Sequence, residues 1–485
     1  MDIKNILRSR KVGHGGYMAA LIAVVLALAY LLNVIVLLLA NHFGWYFYTA
    51  PQYDLSVGTA ASALFEEIDT TGGKVQILFC DVEENVKTNK QTDFVYQTAN
   101  NLQAQYPDLI ELSYVNLWLE PQKVAPYLEN EEGKTLTLEK TDVIIDYQGE
   151  HLICSASSFY TLDSQDYVVA YNGEEVFVSN ILWVTEKEHP TAYFTANHGE
   201  SMPSPLYYAL VRAGYRIDRI DLASVERVPE DAGLVVISSP LYDFQRSAEG
   251  AAFESELDKL ESYVGAGGKL FVTLDPTYLD KTPKLQSFLN AYGFSLSDGV
   301  LIDENNALPG SGGYSLIASY GKSGLSAALA EKVGADRRTV LSYAAPITTF
   351  DGEKGSAEPL LFSASSATLK LRSGEHVSGA DRALLAIAEV NGGEGKILLC
   401  GSSYLAASDR MVGEGYGNKA LVYALLSELG AARVPLGIEA VAVDRSAIED
   451  LSLGEARTYT ALSVALFPIA LLALGLIYCR RRTAR

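Results

Sequence analysis

The sequence lacks the short motifs that mark the common hydrolases, ATPases and dehydrogenases. It contains no GxSxG nucleophile elbow, no GxxxxGK[ST] phosphate loop, and no GxGxxG after a strand. Only six histidines occur, and none stands at HExxH or another metal-ligand spacing. We therefore expect no bound metal, no nucleotide and no other cofactor, and no complete catalytic constellation is visible.

Cysteine is also scarce, with four residues in 485 and no CxxC pair. Cys80, Cys154 and Cys400 each end an apolar, strand-like run (ILFC, LIC and ILLC), which is typical of a buried thiol. Without a CxxC pair, a redox function is not expected. A disulfide between Cys80 and Cys154 remains an alternative, because spacing alone does not determine pairing.

Positive charge is under-represented, with 38 lysines and arginines against 59 acidic residues and a net charge of −21. The two ends are basic, at +3 for residues 1–40 and +4 for 459–485, which leaves −28 for residues 41–458. An acidic body of this kind argues against nucleic-acid binding, because phosphates require a cationic surface.

Two long segments carry no charge at all, at 17–40 and 460–479. About 20 apolar residues are needed to cross the hydrocarbon core of a bilayer, so each segment is predicted to be a transmembrane helix. Basic residues flank the outer end of each segment, and the positive-inside rule then places both termini in the cytoplasm. We therefore predict a two-pass cell-membrane protein in contact with the lipid bilayer, with residues 41–459 extracytoplasmic.

The predicted domain organisation follows from these segments and from the secondary-structure pattern between them. It consists of a cytoplasmic basic tail at 1–16, a transmembrane helix at 17–40, a membrane-proximal helix with a small α/β domain at 41–188, a larger α/β domain at 189–440, a linker at 441–459, a second transmembrane helix at 460–479, and a cytoplasmic basic tail at 480–485.

The two exterior domains differ in their strand patterns. Strands are predicted at 74–81, 109–117, 142–147 and 151–154, with a helix at 91–106. This β-α-β-β-β order suggests a small thioredoxin-like domain. From residue 191 onwards strands and helices alternate, which favours a parallel sheet with helices on both faces.

Polar residues follow the strands of the larger domain at their carboxyl ends. In open α/β sheets, ligands bind at this edge. The ligand-binding candidates are Asn197, His198, Glu200, Ser238, Asp275 and Ser402. Such a rim could bind a small polar ligand or carry acid/base chemistry. Equally, serine, glycine, proline and aspartate are the residues that turns require.

Four stretches follow one another in the larger domain: TAYFTANHGE at 191–200, DAGLVVISSP at 231–240, YVGAGGKLFVTLDP at 263–276 and GGEGKILLCGSSYL at 392–405. In this order they resemble the GldG-type auxiliary components of ABC transport systems, a family associated with gliding motility. One departure is Asn197, which stands where the first glycine of the family's GHGE turn usually lies.

The resemblance implies a non-catalytic, extracytoplasmic auxiliary subunit that works beside a separate ABC permease and ATP-binding subunit and can also contact a substrate. It also implies that the larger domain has a flavodoxin- or glutamine-amidotransferase-like fold without the nucleophile. Two alternatives stay open. One is a surface enzyme that acts on a glycan or peptide through His198, Glu200 and Asp275, and the other is a structural scaffold.

Overall fold

The structure is a computed structural model that describes residues 55–66, 68, 70–128, 135–162, 167–246, 254–379, 382–412 and 415–443. The first half of this part contains six strands, β1 Val75–Phe79, β2 Ile110–Tyr114, β3 Val143–Tyr147, β4 Glu150–Cys154, β5 Tyr160–Leu162 and β6 Val168–Tyr171. Its helices are α1 Thr59–Phe65, α2 Glu83–Thr88, α3 Asp93–Gln105, α4 Pro121–Val124 and α5 Gly173–Thr185.

The first sheet has the order β2-β1-β3-β4. β1 and β2 are parallel because α3 connects them, whereas β3 and β4 run antiparallel through the tight turn at Gln148 and Gly149. α3 buries one stripe, as its 3.6-residue period predicts, while α5 is apolar nearly all round. The reason is that α5 contacts β3 and β4 on one side and the second half of the molecule on the other.

The second half contains fifteen described strands, β7 Thr191–Thr195, β8 Arg216–Ile220, β9 Ala232–Ser238, β10 Lys269–Thr273, β11 Phe294–Leu296, β12 Gly299–Ile302, β13 Ser315–Tyr320, β14 Thr339–Ser342, β15 Ile347–Thr349, β16 Ser356–Phe362, β17 Thr368–Leu371, β18 His376–Ser378, β19 Ala383–Val390, β20 Gly395–Cys400 and β21 Val441–Ala442. Its helices are α6 Ser204–Arg212, α7 Glu256–Gly265, α8 Pro283–Ala291, α9 Gly324–Val333, α10 Ser408–Val412 and α11 Asn418–Glu428.

The central sheet has eleven strands, nine of them in the order β14-β13-β16-β19-β20-β10-β9-β7-β8. From β20 to β8 neighbouring strands are parallel, but from β14 to β20 they are antiparallel. The prediction of a parallel sheet is therefore wrong for half of the strands. The physical reason is loop length: only 391–394 separate β19 from β20, which permits a hairpin but no helical crossover.

The sheet separates two apolar cores. Successive residues of a strand point to opposite faces, so Leu234 and Val236 of β9 join one core and Val235 and Ile237 the other. α6, α9 and α11 cover the first face, and α7 and α8 cover the second. This burial on both faces explains the continuous apolar runs of β9 and β10.

Two three-stranded sheets complete the fold, with the orders β12-β17-β18 and β21-β6-β5. In the second of these, Val441–Ala442 pairs antiparallel with β6, although the sequence places residue 441 in a linker. The described fold is therefore mixed α/β with several sheets.

The prediction of a membrane-spanning architecture requires correction. The longest helices in the described ranges, α3 and α5, have 13 residues each, and none has the length and apolar character needed to cross a bilayer. This finding contradicts the fold class with one transmembrane helix at each end, and also the two-pass cell-membrane localisation with residues 41–459 extracytoplasmic. The two segments on which that prediction rested, 17–40 and 460–479, lie outside the described residues.

Candidate functional site

The candidate site is the sheet edge formed by the carboxyl ends of β7, β9, β10 and β20. These strands are parallel, so the segments that follow them emerge at the same edge. All six predicted residues lie on this rim: Asn197, His198, Glu200, Ser238, Asp275 and Ser402. The structure brings His198 and Glu200 into direct contact, whereas the others have partners elsewhere.

His198 is the most constrained of these residues, at 6% exposed. Its Nδ1 lies 3.0 Å from Glu200 Oε1, and its Nε2 lies 3.2 Å from Glu256 Oε2. The ring also stacks on Phe244, with centroids 3.8 Å apart and an interplanar angle of 18°. Both ring nitrogens therefore contact buried carboxylates of the same chain.

The turn that presents His198 depends on two residues with a positive φ, Asn197 at 78° and Gly199 at 76°. Asparagine tolerates this left-handed conformation better than most side chains, so Asn197 can occupy this position of the turn. At Gly199 a Cβ would come within 3.0 Å of Leu241. The carbonyl of His198 accepts hydrogen bonds from the amides of Leu241 and Tyr242, which fixes the turn against the loop after β9.

The carboxylates control the protonation of the ring. Burial alone would lower the pKa of His198, but the hydrogen bond to Glu200 and the charge of Glu256 outweigh it, so the pKa is raised. Burial would likewise raise the pKa of Glu200, but the hydrogen bonds that it accepts, above all from His198, lower it. With a carboxylate within hydrogen-bond distance of each ring nitrogen, the geometry suits an imidazolium that donates one N–H to each carboxylate.

The remaining candidates hold backbone turns. Ser238 Oγ lies 3.3 Å from Ser201 Oγ, and Asp275 accepts the amide of Thr277 at 2.8 Å as the cap of a short 3₁₀ turn. Ser402 Oγ donates to the carbonyl of Ser342 at 2.5 Å. Among the described residues Asp275 is not a partner of His198, so the contacts do not assemble the predicted combination of His198, Glu200 and Asp275.

Glu256 and Phe244 belong to the site but were not predicted. Glu256 is 5% exposed and lies in the first turn of α7, where its Oε2 also accepts the amide of Gln245 at 2.7 Å. The sequence did carry a signal for Glu256. Leu257, Leu260 and Val264 recur at helical spacing, and Glu256 stands four residues before Leu260 on the same face, where a carboxylate needs a buried partner.

Two other features occur at this edge. A depression of about 280 Å³, lined by the 194–202 segment and Arg219, opens beside the His198 turn. Further along, Tyr343 and Tyr404 are exposed and lie 5.8 Å apart between ring centroids, and Tyr314 stacks on Tyr343 at 5.0 Å. Tyr343 has a positive φ of 50°, a sparsely populated conformation for an aromatic residue.

The described cysteines are free and buried. Burial raises the pKa of Cys80, Cys154 and Cys400 to about 12 in each case, so these thiols stay protonated at neutral pH. The Cys80–Cys154 disulfide that the sequence left open is not formed. Within the described ranges, no group of three or more histidine, cysteine and acidic side chains could hold a metal ion.

Comparison with known proteins shows no family. No family model matches the sequence, and no curated protein matches it significantly. Among solved structures, the chain is similar to one described as the mmIFT52 N-terminal domain, with 16% identity, a TM-score of 0.39, and coverage of 50% of this chain and 99% of that one.

Two further structures show weaker similarity. The PurLQS structure from Thermotoga maritima has 14% identity and a TM-score of 0.27 over 50% of this chain and 99% of that one. The carbohydrate deacetylase Agd3 has 11% identity and a TM-score of 0.26 over 44% of this chain and 29% of that one. At these scores the similarities carry no functional argument.

Proposed function

We propose that this chain is a non-catalytic auxiliary subunit that works beside the permease and ATP-binding subunit of an ABC transport system, as its resemblance to GldG-type proteins implies. The non-catalytic part of this proposal rests on one observation, that each ring nitrogen of His198 contacts a carboxylate. A general base needs a ring nitrogen with a free lone pair within reach of a substrate. In the imidazolium state both nitrogens of His198 are protonated and donate to Glu200 and Glu256.

Other residues of the rim support the same interpretation. The hydroxyl of Ser402 contacts a backbone carbonyl, and Asp275 caps a turn. Cys400, which ends β20, has a pKa raised to about 12 by burial and therefore supplies no thiolate nucleophile. These groups stabilise the loops of the rim, which suits a surface that binds a partner better than one that performs chemistry.

The exposed tyrosines give this proposal a candidate contact surface. Tyr343 and Tyr404 are 47% and 44% exposed and stand next to each other on the rim. Tyrosine is enriched at the centres of protein interfaces, because its ring is large, rigid and amphipathic. We therefore place the contact with the transport subunits at these two side chains.

The test is affinity purification of the tagged full chain from its native cells under mild detergent, with co-purified proteins identified by mass spectrometry. We expect recovery of an ABC permease and an ATP-binding subunit, and a strong reduction in recovery for the double variant Tyr343→Ser, Tyr404→Ser. Trp118→Ser is the matched control, because Trp118 is 81% exposed but lies in the loop after β2. Recovery of the chain without transport subunits would contradict the proposal, and equal recovery in the double variant would contradict the assigned surface.

A further inference from the structure

A cleft of about 560 Å³ lies away from the rim, between the first sheet and the central sheet. Its walls come from the segment 152–162, from α5 and α6, and from α10 and the start of α11. This volume falls within the usual range for sites that bind small molecules, about 300–1,000 Å³. None of the residues predicted from the sequence as ligand-binding candidates lines it.

One wall of the cleft is positively charged. Arg212 and Lys419 line it and are 22% and 16% exposed, and both contact Glu175, which is fully buried behind them. Arg212 Nη1 lies 3.1 Å and Lys419 Nζ 2.6 Å from the same Oε2 atom, while Tyr423 donates to the other carboxylate oxygen. Two cations therefore share one carboxylate, and an excess positive charge is left partly buried.

No acidic side chain among the described residues lines the cleft to compensate for this charge. The local excess is unusual in a chain whose net charge is −21. Removing charge from water costs free energy unless an opposite charge is supplied, and the guanidinium and ammonium groups have more N–H donors than their contacts with Glu175 use. An anion in the cleft would supply that opposite charge.

Polar, uncharged side chains also line the cleft. They include Ser155, Ser157 and Ser158, together with Asn180 of α5. The three serines are exposed, and Ser155 Oγ lies 2.8 Å from Ser157 Oγ. Exposed hydroxyls of this kind can hydrogen-bond to the hydroxyls of a ligand.

We propose that this cleft binds a small hydroxylated organic anion of the sugar-acid or sugar-phosphate class. Its carboxylate or phosphate contacts Arg212 and Lys419, and its hydroxyls contact the serines. The inference goes beyond the proposed auxiliary role and does not depend on it, since the cleft and its charge are independent of any transport subunit.

The test is isothermal titration calorimetry on the purified full chain with four probes: glucuronate, glucose 6-phosphate, neutral glucose and cationic glucosamine. We expect at least one anionic sugar to bind at concentrations up to about 10 mM, more weakly as salt is added, and the other two not to bind. Which anion binds more tightly distinguishes a carboxylate ligand from a phosphate ligand.

Three variants locate the site. Arg212→Gln should weaken binding of the anion by about tenfold or more, because a charge-assisted contact is lost. The double variant Ser155→Ala, Ser157→Ala should weaken it by about three- to tenfold without lowering the melting temperature, because the two hydroxyls are exposed and bond to each other. Tyr242→Phe, an exposed tyrosine of the rim, is the control and should bind as the native chain does.

The proposal is overturned if neither anionic sugar binds, if glucose binds as tightly as the anions, or if the serine double variant and Arg212→Gln leave the affinity unchanged. Because the serine double variant preserves the ion pairs of Glu175, a folding defect in Arg212→Gln does not prevent the decision. Failure of this experiment leaves the affinity-purification test of the auxiliary role unaffected, and the converse also holds.

Discussion

Replacing His198 by alanine should destabilise the protein strongly, because the structure makes this histidine a brace between two elements. The substitution removes the contacts with Glu200 and Glu256 and the stacking on Phe244. Hydrogen bonds to charged groups contribute about 1.5–3 kcal/mol each, and an aromatic stack adds about 0.5–1.5 kcal/mol.

The carboxylates left behind increase the effect. The side chains of Glu200 and Glu256 are 4% and 6% exposed, so water screens them poorly once the imidazolium is gone. Breaking a buried pair by removing one partner typically costs about 3–5 kcal/mol. We therefore expect His198→Ala to lower the free energy of unfolding by about 3–5 kcal/mol, a large fraction of the ~5–15 kcal/mol by which native proteins are stable.

The assay is urea unfolding followed by circular dichroism, with the midpoint compared at constant slope. His376→Ala is the matched control, because His376 lies exposed in β18 and its loss should change stability by no more than about 0.5 kcal/mol. If His198→Ala unfolds at the same urea concentration as His376→Ala, the bracing role is wrong. The enzyme alternative predicts that result together with a loss of function, so one measurement separates the two interpretations.

Three further predictions concern the same fold. The pKa of His198 is raised above 6.5 and that of Glu200 is lowered below 4.5, so the stabilisation by this pair is lost as the pH rises through the raised pKa of His198 or falls through the lowered pKa of Glu200. The difference in unfolding free energy between the native chain and His198→Gln should therefore be largest between about pH 4.5 and 6.5. An unchanged difference up to pH 9 would contradict this ion pair. Asn197→Gly should leave the melting temperature nearly unchanged. Asn197→Val should lower the free energy of unfolding by about 1–3 kcal/mol, because a β-branched residue resists a φ of 78°. Equal melting temperatures for the two variants would refute the left-handed turn. In a Cys479→Ser background the three buried thiols should react with a maleimide at pH 8 only after denaturation, and rapid labelling of the folded chain would contradict their burial.

The sequence predicts the local structure of this fold well where the apolar residues follow a single period, either that of a helix or that of a strand. β1 to β4 and α3 are found within a few residues of their predicted bounds. The antiparallel half of the central sheet was not predicted, because β13 pairs with β16 across residues 321–355 and β16 pairs with β19 across 363–382, and no local pattern specifies partners so distant.

The candidate sites show the same difference between what a local pattern predicts and what tertiary packing decides. Parallel strands bring the six predicted rim residues to one edge, which sequence order is enough to anticipate. The partner of His198, however, is Glu256, 58 residues away, and Glu175 in the cleft meets Lys419 across 244 residues. Such contacts depend on tertiary packing, and no local pattern encodes which buried charge meets which.

The pairing of β21 with β6 has a consequence for how the chain can be divided. β5 and β6 precede the central sheet in the sequence and β21 follows it, yet all three form one small sheet. The central sheet is thus an insertion between strands of another unit. A fragment that stops before residue 441 exposes the edge of β6, and an unpaired edge is a template for pairing with a second molecule. Truncated forms of this protein should therefore be prone to dimerise edge to edge through β6, whereas fragments that keep 441–443 retain the strand that covers this edge.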